Sequence, residues 1–238
     1  MLSVSIGILC YNEQENILRI VERLLDLFEN SELSIDPKIV IINNGSTDST
    51  ATVIDELGQK HPIVSVLHIK ENKGYGFGVR TGLESLRGDV VGFMWGDNQF
   101  DAGVTLKMIE EFLDKPNVQF VKTYRVTRHD GRLRLIVSRL YQLLFRLLYG
   151  KKVRDINSGP KLFRSKFYRS LLPLESNDWF VDAEIMIKAV SKLEKGQLVE
   201  LPIDFFPRKY GKSNVKFSTC FEFFKNLFSY RFSSKKRR

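Results

Sequence analysis

The sequence predicts an α/β protein with a mainly parallel sheet covered by helices on both faces. Three observations carry that prediction. Five short apolar runs alternate with stretches of helical periodicity between the N-terminus and residue 123, the pattern of βαβ units. The runs are rich in β-branched residues and almost uninterrupted in apolar character, as strands buried on both faces require. Polar clusters follow the first, second and fourth runs: Tyr11-Asn12-Glu13, Asn43-Asn44-Gly45 and Asp97-Asn98-Gln99. Right-handed crossovers put the C-terminal ends of parallel strands along one sheet edge, where open α/β sheets bind ligands.

Val4 to Leu9 reads as the first buried strand. Ile17, Val21, Leu24, Leu25 and Phe28 then recur at helical spacing, with Glu and Arg between them. Lys38 to Ile42 is the second strand. Ser46-Thr47-Asp48 supplies capping chemistry for a helix that shows Val53, Ile54 and Leu57 on one face. Val64 to Ile69 is the third strand, and the Gly-rich stretch from Asn72 to Leu83 leads into a helix ending near Gly88. Asp89 to Trp95 is the fourth strand, Val104 to Leu113 a helix, and Val118 to Thr123 the fifth strand. Beyond it, Leu133 to Tyr149 is strongly apolar with spaced Arg residues, Phe180 to Leu193 is helical, and Leu198 to Ile203 is a strand. Phe217 to Phe232 carries six Phe and one Tyr. No repeat or low-complexity linker divides the chain, so residues 1–216 are read as one domain, with a nucleotide-side half (1–124) and an acceptor-side half (125–216). Residues 217–238 form an aromatic and basic tail.

Length and composition agree. The chain has 238 residues, 43% hydrophobic and 27% charged, which excludes a disordered or fibrous protein. Lys and Arg number 37 against 28 Asp and Glu, a net charge of +9. That balance fits either a soluble basic protein or one with an anionic partner, a nucleotide, a phospholipid or nucleic acid. Nucleic acid would explain the charge but not the polar rim. Cys10 and Cys220 are too few and too far apart for a disulfide framework or a zinc site. The start of the chain has no basic leader, and no run of about 18 apolar residues signals a transmembrane helix. A cytoplasmic location is expected.

The chemistry sits in the loops. Gly74-Tyr75-Gly76-Phe77-Gly78 is not a dinucleotide fingerprint, because it follows the third strand and its glycines are wrongly spaced. A tight helix-entry turn that uses positive φ is the simpler reading. In Trp95-Gly96-Asp97-Asn98-Gln99 a carboxylate at a strand end, two residues before an amide, offers hard oxygens to a divalent cation. A surface turn is the alternative reading.

Six segments in order, CYNEQENI, IINNGSTDST, NKGYGFGVRTG, WGDNQ, RDINSGPKLF and PRKYGKSN, resemble the inverting nucleotide-sugar glycosyltransferases of family two, which have the GT-A fold. Within them the chain resembles the dolichyl- and polyprenyl-phosphate sugar synthase branch. The resemblance covers roughly residues 3 to 216 and implies a site, residue by residue. Tyr11, Glu13 and Gly74 line the nucleotide pocket. Asn43 and Asn44 stand where the family has two Asp residues that hold base and ribose, and their amides still offer a donor and an acceptor. Trp95 stands at the first Asp of the metal motif and Asp97 at the second, so Mg²⁺ or Mn²⁺ rests on Asp97, with Gln99 beside it. Three lost carboxylates imply weaker metal binding. Arg208, Lys212 and Ser213 match a phosphate-binding loop. Arg134 and Ser138, one helical turn apart, resemble the branch's Arg-x-x-x-Ser for an acceptor phosphate, with Arg125 and Arg128 to assist.

The implied reaction is glycosyl transfer with inversion to a lipid-phosphate or lipid-linked acceptor. A hydroxyl acceptor needs a general base, for which Asp182 is the first candidate and Asp155 the second. Capping or salt-bridging is the alternative for either. An anionic phosphate acceptor needs no base. Residues 133–149 and the Phe-rich tail, ending in Lys235 to Arg238, suit an anionic membrane surface at the inner face of the membrane. A buried helix with a solvated tail, or homodimerisation through the Phe-rich segment, would use the same residues. A soluble acceptor, or a sugar-nucleotide-binding regulator without catalysis, is the alternative function.

Overall fold

The computed structural model describes residues 1–128, 132–150, 153–210 and 217–233. The side chains at 128, 132–135, 217–221 and 233 are outside that description. Lys212, Ser213 and the basic residues Lys235 to Arg238, together with the side chains of Arg128, Arg134 and Phe221, therefore lie outside the described residues.

The strands are β1 (Leu2–Cys10), β2 (Ile35–Asn44), β3 (Val64–Ile69), β4 (Val90–Trp95), β5 (Phe120–Arg128), β6 (Lys161–Arg164) and β7 (Leu198–Phe205). They form one sheet in the order β3-β2-β1-β4-β6-β5-β7. β1 pairs in parallel with β2 and β4, β2 with β3, and β5 with β7. β6 runs antiparallel to both of its neighbours. The mainly parallel sheet is as the sequence predicts. β6 and the short helix after it were not legible, because Lys161-Leu162-Phe163-Arg164 is too short and too charged to read as a buried strand.

The helices are α1 (Ile17–Glu29), α2 (Thr50–Lys60), α3 (Tyr75–Ser85), α4 (Val104–Asp114), α5 (Arg132–Tyr149), α6 (Ser165–Ser170), α7 (Val181–Lys192) and α8 (Phe217–Ser233). Strand alternation divides the core in two. Ile6, Ile8, Ile39 and Ile41 face Ile20 and Leu24 of α1, Ile54 of α2 and Met108 of α4. Leu9, Ile42, Phe93 and Phe163 face Val79 of α3, Ile185 of α7, Phe145 of α5 and Leu227 of α8. Burying apolar area on both faces is what stabilises such a sheet.

The Gly-rich entry to α3 has a steric cause. Gly74 has φ +107°, and a Cβ there would stand 2.3 Å from the carbonyl oxygen of Asn177. A Cβ on Gly78 would stand 2.8 Å from Cγ of Asn44. These glycines bring α3 down onto the end of β2 and against the loop before α7, closing one wall of the crevice described next.

Candidate active site

The C-terminal ends of β1, β2 and β4 meet the segment after β7, the loop 153–160, and helices α5 and α8 around a cavity of about 660 Å³. Tyr11 and Glu13 enter from β1, Asn44 from β2, Trp95 and Asp97 from β4, and Phe205 to Arg208 from β7. Backbone at the rim is bent to permit this: Asn12, Asn98 and Asp155 all have positive φ, at 56°, 53° and 38°. Such residues are uncommon outside glycine and cluster at functional sites.

One end of the cavity is organised by charge. Arg208 donates from Nη2 to Glu13 Oε1 at 2.6 Å and reaches Asp97 Oδ2 at 3.5 Å. Glu13 also accepts a hydrogen bond from the Asn16 side chain at 2.7 Å. Burial raises the pKa of both carboxylates, and the Arg208 guanidinium opposes that rise. Two acids thus share one cation in a desolvated crevice. The backbone N–H of Gln99 donates to Asp97 Oδ1 at 3.4 Å, and the Gln99 side-chain amide donates to the carbonyl of Phe206 at 2.8 Å. No group of three or more His, Cys, Asp or Glu placed to hold a metal ion occurs among the described residues. Asp97 and Glu13 together nevertheless fit a hard cation such as Mg²⁺ or Mn²⁺, since Mg²⁺ is commonly held by one or two carboxylates with substrate phosphates and water completing its shell.

The two predicted asparagines divide. Asn44 lines the cavity and donates to the Gly74 carbonyl at 3.2 Å. Asn43 does not line the cavity. Its Oδ1 accepts from the backbone N–H of Ser46, and its Nδ2 meets His68 Nδ1 at 3.2 Å. His68 Nε2 in turn meets Asp55 at 2.8 Å. An Asn donor on Nδ1 leaves Nε2 to carry the ring proton towards Asp55.

The candidate bases are committed to ion pairs. Arg125 forms a bidentate pair with Asp155, through Nε at 2.6 Å and Nη2 at 2.7 Å. Asp182 pairs with Lys161 Nζ at 2.5 Å, with side chains 3% and 0% exposed. For both acids the salt-bridging alternative is the arrangement found. Burial pushes the Tyr75 hydroxyl well above its ordinary pKa, and the nearby Asp182 carboxylate pushes it further. Tyr75 Oη also accepts a hydrogen bond from the indole N–H of Trp95 at 2.9 Å. Its ring stacks on Trp179 at 4.3 Å. Trp95, standing where the resemblance expects a carboxylate, is therefore the first member of a chain that runs through Tyr75 to a buried ion pair.

The far end is apolar, with Val137, Tyr141, Phe223 and Phe224 among its lining residues. Ser138 lines it too and accepts a hydrogen bond from Gln142 at 3.3 Å.

Sequence reasoning missed Tyr75, Tyr141, Asn157, Lys161 and Trp179. Signals were present for Tyr75, inside the glycine run at the head of α3, and for Asn157 and Lys161, inside the segment RDINSGPKLF.

Residues 5–172 match the family model described as Glycosyl transferase family 2. The chain is 27% identical over 231 residues to the dolichol-phosphate mannosyltransferase of Pyrococcus furiosus, covering 95% of this chain and 63% of that protein. It is 24% identical over 212 residues to the undecaprenyl-phosphate 4-deoxy-4-formamido-L-arabinose transferase of Edwardsiella ictaluri, covering 88% and 62%. The chain thus spans somewhat over three-fifths of the length of these curated relatives. Among solved structures it is similar to the mannosyl-3-phosphoglycerate synthase of Rubrobacter xylanophilus, with TM-score 0.79, 20% identity, and coverage of 100% of this chain and 76% of that one. It is also similar to the glucosyl-3-phosphoglycerate synthase of Mycobacterium tuberculosis in complex with Mn²⁺, UDP-glucose and phosphoglyceric acid. That match has TM-score 0.74, 17% identity, and coverage of 95% and 77%.

Proposed function

Because this chain belongs to glycosyl transferase family 2 and has the GT-A fold, we propose that it transfers a sugar, with inversion, from a nucleotide-sugar donor to a polyprenyl phosphate. The observation that carries this reading is the two-ended cavity. Glu13, Asp97 and Arg208 stand at one end, and the apolar side chains of α5 and α8 form the other. The first end suits a diphosphate and the second an isoprenoid chain.

Tyr11, Asn44 and Gly74 border the donor end, and Asn43 supports its edge through the backbone of Ser46. A divalent cation, Mg²⁺ or Mn²⁺, would be held by Asp97 with Glu13, Gln99 lying two residues after Asp97, and would neutralise charge on the leaving diphosphate. Arg208 supplies a second positive charge to the same diphosphate, as electrostatic stabilisation of a developing anion requires. The acceptor oxygen attacks the anomeric carbon, the bond from that carbon to the diphosphate oxygen breaks, and the nucleoside diphosphate leaves. A phosphate acceptor enters already ionised, so no proton has to be removed. The ion pairs on Asp155 and Asp182 favour that acceptor over a hydroxyl.

The acceptor's setting is proposed to be an anionic bilayer surface. Ile136, Leu140, Leu143 and Leu147 make an exposed stripe on α5, and Phe228 and Phe232 one on α8. Arg139, Arg146 and Lys225 are exposed on the same helices. No helix among the described residues is long and apolar enough to cross a membrane.

The test is transfer in vitro. The protein is incubated with radiolabelled nucleotide sugars, Mn²⁺ and polyprenyl phosphate in vesicles, with Asp97→Ala in parallel. Labelled lipid from the wild type and none from the variant is expected. Hydrolysis or transfer to soluble acceptors alone would overturn the lipid acceptor, and equal turnover by Asp97→Ala would overturn the cation assignment.

A further inference from the structure

Trp95, Tyr75 and Trp179 line the cavity, and all three are half-buried. They form one continuous wall. The Trp95 indole N–H donates to Tyr75 Oη at 2.9 Å, and the Tyr75 ring stacks on Trp179 with centroids 4.3 Å apart and planes 15° apart. Trp95 lies two residues before Asp97. The Tyr75 hydroxyl is close enough to Asp182 and to Asp97 to feel both charges. The wall therefore begins beside the proposed diphosphate site. A sugar bonded directly to that diphosphate has to lie next to it.

Packing holds the wall in place. Phe100 and Phe205 meet the Trp95 ring edge-on at 6.4 and 6.1 Å. Trp179 ends a loop whose backbone N–H groups at Glu175 and Ser176 donate to the buried Glu184 carboxylate at 2.9 Å, and whose Leu174 carbonyl accepts from Arg80. Gly76 lets that loop sit on α3, since a Cβ there would stand 2.5 Å from the carbonyl oxygens of Ser176 and Asp178. The polar tips of the wall are already used. Tyr75 Oη accepts from Trp95 and has Asp182 within hydrogen-bonding reach. That hydroxyl is buried, so the accessible part of Tyr75 is not its polar atom. Trp95 and Tyr75 thus present carbon to a sugar, and no hydrogen bond. A sugar hydroxyl pressed against them would lose water and find no partner, which is destabilising. A methyl group there would gain by burying apolar surface. In a hexopyranose, the exocyclic carbon is the position where loss of a hydroxyl leaves a methyl.

We propose that Trp95, Tyr75 and Trp179 are a platform for the transferred sugar and select a 6-deoxyhexose, whose methyl packs on the rings, over the parent hexose. The inference rests on the donor end proposed above and names the class of sugar that this end takes. It also gives Trp95 a purpose. Where the resemblance expects an acid, an aromatic ring faces the sugar, and the cation is left to Asp97 and Glu13. Discrimination should be about ten- to hundredfold, the range over which an apolar pocket rejects one added hydroxyl.

The experiment uses the whole protein with Mn²⁺ and matched donors that differ in one hydroxyl: GDP-D-mannose and GDP-D-rhamnose, dTDP-glucose and dTDP-6-deoxyglucose, UDP-N-acetylglucosamine and its 6-deoxy form. Calorimetry gives affinities, with the bare nucleoside diphosphate as reference, and transfer to polyprenyl phosphate gives kcat/KM. Wild type should favour the deoxy member of the pair it uses about ten- to hundredfold. Trp95→Phe frees Tyr75 Oη to accept from a sugar hydroxyl and should reduce that preference about tenfold. Trp179→Leu removes the stacked ring from its loop and should weaken both members about two- to tenfold. Nucleoside diphosphate affinity should hold in both variants. If Trp95→Phe does not fold, Trp179→Leu decides. Equal use of both members, or a preference for the parent hexose, would overturn the inference and leave the transferase reading standing. A deoxy preference and affinity that survive in both variants would overturn the assignment to this wall. Deoxy-selective binding that depends on Trp95, with no transfer to lipid, would overturn the transferase reading and leave the platform. Wild type that binds none of the donors would overturn both.

Discussion

Lys161→Met is the perturbation that separates a structural from a catalytic Asp182. The wild-type ammonium donates to Asp182 Oδ1 and to the Ser158 carbonyl, both at 2.5 Å, and its side chain is fully buried. Removing it leaves a carboxylate that is 3% exposed with no counter-ion. Breaking one side of a buried ion pair costs about 3–5 kcal/mol, because the remaining charge stays desolvated. For a domain of this size each kcal/mol moves the melting temperature by about 2–4 °C, so a fall of about 6–20 °C is expected. Asp182→Leu should fall in the same range. The double variant Lys161→Met/Asp182→Leu removes both charges and should recover most of the loss, giving a coupling energy above about 2 kcal/mol in the mutant cycle. Differential scanning calorimetry measures all four proteins. The double variant also tests chemistry. A general base is worth roughly 10²–10⁴ in rate, whereas loss of a positioning contact behind Tyr75 should cost about tenfold or less. A single Lys161→Met change that leaves the melting temperature in place would refute the energetic argument. A stable double variant slowed a thousandfold would return Asp182 to the role of base.

Other parts of the molecule make separate predictions. Asp97→Asn keeps the shape of the crevice but removes one of the two acids beside Arg208, so titration of a nucleoside diphosphate should show at least a tenfold loss of the Mn²⁺-dependent part of its affinity. Lys122 donates to the carbonyls of Thr123, Arg154 and Asp155 at 2.6, 2.6 and 3.2 Å, and burial lowers its pKa from 10.5 to about 8. Between pH 8 and 10.5 the unfolded chain therefore holds this proton more tightly than the folded one, so this group makes stability rise with pH across that window and its full penalty is present below pH 8. In urea unfolding, the wild type should gain on Lys122→Met between pH 7.5 and 10, and a constant difference would refute the assignment. Leu143→Glu combined with Phe228→Glu places charge on the exposed stripes of α5 and α8. At about 1.5–3 kcal/mol per buried apolar side chain, co-sedimentation with phosphatidylglycerol vesicles should fall by more than tenfold; if it does not, the bilayer lies against another face.

The parallel part of the sheet was legible because β1, β4 and the C-terminal half of β2 are buried on both faces, and burial on both faces removes the polar half of the strand pattern. Val64 to Ile69 is bounded in the structure as in the sequence. What failed was β6, and the cause is the buried ion pair between Lys161 and Asp182. A charged residue is read as solvent-facing because desolvating it alone is prohibitive. Lys161 escapes that rule through a partner 21 residues away, and Lys122 through carbonyls 32 and 33 residues away. The site divides along the same line. Glu13 and Asp97 stand out locally, since acids at strand ends are visible in one dimension. The cation between them lies 195 and 111 residues off. Trp95 makes the sharpest case. From the sequence it is a missing carboxylate; in the fold its indole N–H is the donor that Tyr75 Oη accepts, and Tyr75 lies beside Asp182. An Asp at position 95 would take that donor away and add another anion to a crevice where two acids already share one guanidinium. The tryptophan is thus coupled to its tyrosine, and restoring the acid without changing Tyr75 would cost stability before it improved cation binding.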